Sequence, residues 1–271
     1  MKRKVLVLDI DGTLTNSKKE ITPATQEAIF ELQRRGHVVV LASGRPTAGL
    51  RVMTEKLRFA ENGGYILSYN GGCVTYVPTG ETVFKNLLPD YVPAWMHAYA
   101  LDHGLGMCSY LGQDMLCGTE CDRYLQYEAR INGLNVVQVE SFEPYVRTDF
   151  FKVLLAVTPT RAAELEKRLQ HRFLGRLSIY RSEPYFIEVM PRGVDKASAI
   201  AGLLERLGLE REDTIACGDG LNDLSMIRYA GLGVAMGNAQ PAVKAAADII
   251  TLTNDEDGLV PVIEKYILNA D

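Results

Sequence analysis

Cysteine is scarce and unpatterned in this chain. Cys73, Cys108, Cys117, Cys121 and Cys217 are odd in number and form no pair of CxxC knuckles, which excludes a zinc-knuckle site and a fully paired disulfide scaffold. The Cys117 to Cys121 spacing reads as two unrelated reduced thiols, and a cytoplasmic address follows by default. Long apolar runs are missing as well. The basic start Met1-Lys2-Arg3-Lys4, followed by Val5-Leu6-Val7-Leu8, has the outline of a signal peptide. Asp9 and Asp11 interrupt it at once, too soon for a signal core or a membrane span. No block of like charge stands out, and the formal net charge is -5 over 271 residues. That balance argues against a nucleic-acid partner and against a polybasic membrane patch. Internal repeats and low-complexity stretches are also lacking. What remains has an ordinary globular composition, 47% hydrophobic and 23% charged, enough for a sizeable core in one large or two modest domains.

Residues 4–10 form a short continuous apolar run, the pattern of a strand buried on both faces, as in a parallel sheet. Thr22-Pro23 opens a helix, with Thr as N-cap and Pro at its first position. Ala28, Ile29 and Leu32 mark its buried face, and Gly36 stops it. Residues 37–42 are the next buried strand, so strand, helix and strand make a parallel βαβ unit. Residues 65–69 read as a third strand, ended by Asn70-Gly71-Gly72. The same alternation resumes late: a helix over 196–207 closed by Gly208, a strand over 214–217, a helix over 222–229, a strand over 233–236, a helix over 241–247, a strand over 248–252 and a C-terminal helix from about 257. Residues 84–190 differ. They read as helices over 93–102, 122–130 and 160–173, with strands near 107–111, 114–117 and 150–157 and a hairpin of 177–181 with 186–190. His97, His103 and His171 read as surface residues of this region. The predicted architecture is α/β: a doubly wound parallel-sheet, Rossmann-like core of residues 1–83 and 191–271, with an α+β domain of residues 84–190 inserted into it.

The first strand ends in Asp9-Ile10-Asp11-Gly12-Thr13, and ligands of open α/β sheets sit outside the carboxyl ends of strands. Taken alone, Asp9 reads as a cap and Asp11-Gly12 as a turn. Two carboxylates so close also raise each other's pKa unless a cation lies between them. Gly218-Asp219-Gly220-Leu221-Asn222-Asp223 follows another buried strand, with Asp219 and Asp223 four apart at a helix entrance and able to face the same way. An acidic turn is common there. Yet both acidic turns fall at the carboxyl end of a parallel strand, and with few histidines and no paired cysteines they favour a hard cation with oxygen ligands, Mg²⁺ above others. Such a site needs positive groups and amides before it can take an anion. Ser43-Gly44-Arg45-Pro46 after the second strand offers a hydroxyl and close backbone approach, and reads equally as an ordinary βα turn. Lys196 at a helix start opposes the helix dipole, a conflict that a bound anion would remove. On its own it reads as a solvated lysine.

In order along the chain, Asp9-Ile10-Asp11-Gly12-Thr13-Leu14, Ser43-Gly44-Arg45-Pro46, Lys196 and Gly218-Asp219-Gly220-Leu221-Asn222-Asp223 resemble the motifs of the haloacid dehalogenase superfamily. Within it the chain resembles the Cof-type phosphatases, which carry a large α/β cap after the second motif. Tyr69-Asn70-Gly71-Gly72 and Gly233-Val234-Ala235-Met236-Gly237-Asn238-Ala239 are similar to that group too. The resemblance implies a Mg²⁺-dependent hydrolysis of small phosphate monoesters, such as a sugar phosphate, through an aspartyl-phosphate on Asp9. It implies Asp9 as nucleophile and metal ligand, Asp11 as general acid–base and metal ligand through its backbone carbonyl, Asp219 as third ligand and Asp223 as support for the metal. Ile10 through its backbone, Ser43, the amide of Gly44, Lys196 and Asn222 are then expected to hold the phosphate. Arg45 and the cap residue Arg181 are candidates for substrate selection, Arg181 for a second anionic group. The alternatives are a sugar phosphomutase of the same superfamily and, ranked lower, a receiver-like or non-catalytic phosphate-binding protein.

Overall fold

The computed structural model describes residues 2–269. The chain divides into two compact units. One holds the residues up to Gly44, Arg51–Lys85 and the chain from Asp195 on; the other holds Arg45–Leu50 and Asn86–Val194. The first unit begins with β1 (Val5–Leu8), α1 (Pro23–Arg34) and β2 (Val38–Ala42), and continues with α2 (Arg51–Lys56), α3 (Phe59–Asn62), β3 (Tyr65–Ser68), β4 (Cys73–Tyr76) and β5 (Glu81–Lys85). Strand β5 thus runs past the 83/84 limit read from the sequence. The second unit contains α4 (Tyr91–His103), β6 (Gly106–Leu111), β7 (Asp114–Cys117), α5 (Arg123–Asn132), β8 (Asn135–Gln138), β9 (Val153–Ala156), α6 (Pro159–Arg172), β10 (Leu177–Glu183) and β11 (Phe186–Pro191). The chain returns to the first unit with α7 (Lys196–Leu207), β12 (Thr214–Gly218), α8 (Leu224–Tyr229), β13 (Leu232–Ala235), α9 (Pro241–Ala246), β14 (Ile249–Ile250) and α10 (Leu259–Ile263).

The first unit is built on an eight-stranded sheet in the order β14-β13-β12-β1-β2-β3-β4-β5. Strands β14 through β3 are all parallel. Val5, Leu6, Val7 and Leu8 are wholly buried, because β1 lies between β2 and β12 and has no solvent face. That is why its sequence is continuously apolar instead of alternating. Helix α1 starts where expected: the Thr22 hydroxyl accepts from Thr25 N at 3.2 Å and Pro23 occupies the first turn. Successive strands step to one side of β1 (β2, β3), and the late strands add on its other side (β12, β13, β14). The order therefore reverses between β1 and β12, the kind of position at whose carboxyl ends open α/β sheets take their ligands.

Two strands of this sheet were not read from the sequence. After β3, Tyr69, Asn70 and Gly71 all take positive φ (53°, 52° and 106°), so the chain folds back and β4 and β5 pair antiparallel. Gly71 is required there for a second reason. A Cβ at this position would lie 2.2 Å from the carbonyl oxygen of Asp195, so only glycine lets the entrance of α7 come this close. The predicted strand over 248–252 shortens to Ile249–Ile250, and the helix predicted over 222–229 opens with a 3₁₀ turn, Leu221–Asp223, before α8.

The second unit has a six-stranded sheet in the order β10-β11-β9-β6-β7-β8, antiparallel except for the β7/β8 pair. Strand β8 was not expected. An apolar cluster joins α4 (Val92, Met96, Ala100) and α6 (Ala162, Leu165, Leu169) to Val153, Leu155, Ile187 and Val189 of the sheet. His97 is not a surface residue: it is 7% exposed, with Nε2 at 2.6 Å from the carbonyl oxygen of Gly118. His103 is also part-buried, its ring stacked on Tyr99. All five cysteines are free thiols, and all but Cys121 are buried. Among the described residues no helix is long and apolar enough to cross a membrane.

Gly71→Ala is expected to destabilise the first unit by at least about 1–3 kcal/mol, the cost of one strained backbone position, read as a lower urea midpoint at unchanged slope.

Candidate active site

The loop after β1 is held by its own backbone. Leu14 N donates to Asp9 O at 3.1 Å, Thr15 N to Ile10 O at 3.0 Å, and the Thr15 hydroxyl to the same Ile10 oxygen at 2.9 Å. This tight loop leaves the Asp9 side chain at the carboxyl end of β1, 7% exposed. Beside it stands the loop after β12. There Asp223 Oδ2 accepts from the amides of Asp219 and Gly220, both at 2.9 Å, which folds the acidic segment into a closed turn. The two loops are tied together by the Thr13 hydroxyl, which donates to Asp219 Oδ1 at 2.8 Å. Gly12, at φ 89°, makes the approach possible, since a Cβ there would lie 2.5 Å from Asp219 Oδ2.

Lys196 joins this pair of loops from the first residue of α7. It is 0% exposed. Its ammonium donates to Asp9 Oδ1 at 2.6 Å, to Asp223 Oδ1 at 2.6 Å and to the carbonyl oxygen of Ala42 at 2.8 Å. Three donors meet three acceptors, the full capacity of an ammonium. Lys196 is therefore not a solvated lysine, and its conflict with the dipole of α7 is met by two carboxylates and one carbonyl of the protein. The cap of α7 is independent of it: Asp195 Oδ1 accepts from Ser198 N at 2.8 Å.

Carboxylate oxygens of Asp9, Asp219 and Asp223 lie within 4.8 Å of one another. Burial pushes Asp9 up to about 8, against the pull of the Lys196 charge and with the Asp223 and Asp219 charges adding to it. Burial also raises Asp219, with the Thr13 hydrogen bond opposing. Burial works against the charge of Lys196 too, yet Asp9 and Asp223 outweigh it and hold its pKa above the ordinary lysine value. One cation thus faces three carboxylates, and a further positive charge would favour the ionised form of each. Oxygen donors of this kind suit a hard cation. They are not equivalent, since Asp223 already accepts three hydrogen bonds while Asp9 and Asp219 accept one each from a side chain.

The other residues singled out in the sequence are placed as follows. Asp11 does not join the three carboxylates; its Oδ1 is 2.9 Å from Lys19 Nζ, and its side chain is 38% exposed. Ser43 N donates to Leu67 O at 2.8 Å, and Ser43 O accepts from Asn70 N at 2.9 Å. The Asn70 side chain lies against Gly44, and its Oδ1 accepts from Asn222 Nδ2 at 3.4 Å. Ser43, Gly44 and Asn222 are therefore linked through Asn70, to which sequence reasoning assigned no role. The signal was present: an asparagine before two glycines is a residue type that tolerates the left-handed region. Thr13 and Asn238 were also passed over; Asn238 Nδ2 donates to Gly12 O at 2.8 Å. Arg45 and Arg181 belong to the second unit. Arg45 Nη1 donates to Ile131 O at 3.5 Å. Arg181 Nε is 2.7 Å from Glu166 Oε2 and its amide donates to Glu166 Oε1 at 3.2 Å, so Glu166 already answers the charge reserved for a second substrate anion.

Lys196→Met leaves two buried carboxylates without their counter-charge. It is expected to cost about 3–5 kcal/mol at neutral pH, measured by urea unfolding, with Asp223→Asn in the same chain recovering part of the loss.

The geometry can be set beside known proteins. The family model of the haloacid dehalogenase-like hydrolases matches residues 6–263. A haloacid dehalogenase-like hydrolase from Bacteroides thetaiotaomicron is 44% identical, with a TM-score of 0.91 over 97% of this chain and 99% of that one. A sugar phosphatase of haloacid dehalogenase subclass IIB is 28% identical, with a TM-score of 0.81 over 97% of this chain and 98% of that one. The 5-amino-6-(5-phospho-D-ribitylamino)uracil phosphatase of Bacillus subtilis is 31% identical over 98% of this chain and 96% of its own length. The chain belongs to the haloacid dehalogenase-like hydrolases, as a phosphatase of their Cof-type branch.

Proposed function

We propose that this phosphatase is Mg²⁺-dependent and releases phosphate from small monoesters, such as a sugar phosphate or similar metabolite, with Asp9 as its nucleophile. The observation that carries the reading is the buried Asp9 carboxylate, 2.6 Å from the Lys196 ammonium and clustered with Asp219 and Asp223. Asp9 and Asp219 would hold the ion through carboxylate oxygens and Asp11 through its backbone carbonyl. Asp223, with three of its acceptor positions taken, supports the loop and orients Lys196. When bound, the ion neutralises carboxylate charge and charge on the phosphoryl oxygens.

The chain's own residues divide the work in two steps. In the first, an Asp9 oxygen forms a bond to phosphorus while the bond to the ester oxygen breaks, and the Asp11 carboxyl gives its proton to the departing alcohol. Asp11 stands on the exposed side of the loop, where it can turn from Lys19 toward the leaving group. In the second, Asp11 as carboxylate takes a proton from water, whose oxygen bonds to phosphorus as the aspartyl–phosphorus bond breaks. Inorganic phosphate departs and Asp9 is restored. The Ser43 hydroxyl, the Gly44 amide, Asn222 and the backbone of Ile10 hold the phosphoryl oxygens through both steps, and Lys196, bonded to Asp9, adds its positive charge beside them, a task of positioning and charge stabilisation. The second unit serves as the cap that selects the organic group, with Arg45 at its first residue directly following Ser43-Gly44. A cytoplasmic setting belongs to the same proposal.

The purified protein is expected to release phosphate from para-nitrophenyl phosphate in the presence of Mg²⁺ and to stop when EDTA is added. Asp9→Asn is expected to lower kcat by at least about a thousandfold, the scale of losing a covalent catalyst, with the protein still folded at the assay temperature by circular dichroism. Full activity in that variant rules out Asp9 as nucleophile. Turnover that appears only when a sugar bisphosphate is supplied replaces the phosphatase reading with a mutase.

Saturating Mg²⁺ is expected to raise the unfolding midpoint by several degrees, since about 2.7 kcal/mol accrues at a hundredfold excess over the dissociation constant. The Asp219→Asn variant is expected to lose most of that rise in the same thermal scan.

A further inference from the structure

Three consecutive residues after β3 take positive φ, and only the third is glycine. Asn70, at 52°, is a residue type that tolerates the left-handed region. Tyr69, at 53°, is not. Strain of this kind persists only where the surroundings over-determine it, and it gathers at functional sites. Here the turn is pinned on both sides. Asn70 N donates to Ser43 O at 2.9 Å and Gly72 N to Tyr69 O at 3.0 Å, Tyr69 is buried, and Gly71 lies against the Asp195 carbonyl. The fold therefore sets the direction in which the Asn70 side chain leaves the backbone.

That side chain closes a wide gap. The strand order is β12-β1-β2-β3, so the loop that carries Asn70 follows a strand three places from β12. Neighbouring strands are about 4.8 Å apart, which separates the two strand ends by about 14 Å. Yet Asn70 Oδ1 accepts from Asn222 Nδ2 at 3.4 Å. Between them the Asn70 amide covers Gly44, where a Cβ would lie 3.0 Å from Nδ2 and 3.1 Å from Oδ1. The bridge thus spans the carboxyl ends of β1 and β2, the strands that lead into Asp9 and Ser43.

The chemistry of the bridge is specific. An asparagine amide carries two N–H donors on one nitrogen. The contact with Asn70 uses one hydrogen of Asn222 Nδ2 and so fixes the plane in which the second points. Gly44, under the Asn70 amide, supplies the backbone N–H expected to meet the same anion. Donors held in place before an oxyanion arrives bind it better than donors that must be ordered by it. The left-handed backbone alone would be served by glycine, as at the next position; the side chain is what joins the two loops.

We propose that Asn70 is a positioning residue of the phosphate site, its side chain fixing the Asn222 amide and the Gly44 backbone against each other so that both present N–H groups to one phosphoryl group. This rests on the phosphatase reading above and brings to it a residue of the loop after β3. A phosphoryl contact made in ground and transition states alike acts on binding more than on the chemical step.

The test measures KM for para-nitrophenyl phosphate and the inhibition constant of inorganic phosphate in Asn70→Gly, Asn222→Ala and the double variant. Glycine keeps the left-handed backbone and removes only the side chain. Asn70→Gly is expected to raise both constants by about tenfold, the scale of one hydrogen bond to a charged group, and to lower kcat by much less. In the double variant the rise is expected to fall well short of the product of the two single effects, because both residues act through one contact. Constants unchanged in Asn70→Gly, a loss confined to kcat, or effects that multiply in full in the double variant overturn the proposal, while turnover by the unaltered protein leaves the phosphatase reading standing. Absence of phosphate release by the unaltered protein overturns both.

Discussion

A single ammonium group, wholly buried between Asp9 and Asp223 and bonded to the backbone of Ala42, links three crossings of the sheet. Asp9 follows β1, Ala42 ends β2, and Asp223 closes the loop after β12. Placing Lys196 there costs desolvation, which the two carboxylates and the carbonyl offset only if all three are in position. The position of α7 is set in turn by the left-handed turn at Asn70-Gly71, where the missing side chain of Gly71 admits the Asp195 carbonyl. A contact between one lysine and two aspartates therefore depends on the twist of the sheet, the hairpin after β3 and the entrance of α7 together.

The same arrangement explains why the site is acidic without collapsing. Lys196 answers part of the charge of three carboxylates, and burial keeps the rest unfavourable, with Asp9 pushed up to about 8. A further positive charge would favour the ionised form of each carboxylate. Asp223 accepts from two amides and from Lys196, and so shapes the loop in which Asp219 sits.

Much of the core was legible because buried parallel strands and capped helices leave local marks. The run from Val5 to Leu8, the Thr22-Pro23 entrance and the span of α7 up to Gly208 all follow from short-range rules. Strands β4 and β5 escaped because they pair across a sheet edge and are only partly apolar, so neither carries a continuous run. His97 was misjudged because burial of a helix residue depends on what packs over it, here Gly118 and Phe142 from later in the chain. The pairing of Arg181 with Glu166 of α6 is likewise set by packing that no local pattern marks.

By itself the sequence determined which residues could do chemistry: the Asp9-Ile10-Asp11-Gly12-Thr13 and Gly218-Asp219-Gly220-Leu221-Asn222-Asp223 segments lie at strand ends, and strand ends in a parallel sheet open onto one edge. Tertiary structure alone decided which of them touch. Lys196 is 187 residues from Asp9 and 27 from Asp223, and no local pattern distinguishes a lysine that will be buried between two carboxylates from one that will be solvated. The same holds for Lys152 and Glu188, 36 residues apart. Charge pairs across a sheet are set by strand order and register, and those are properties of the assembled chain rather than of any segment within it.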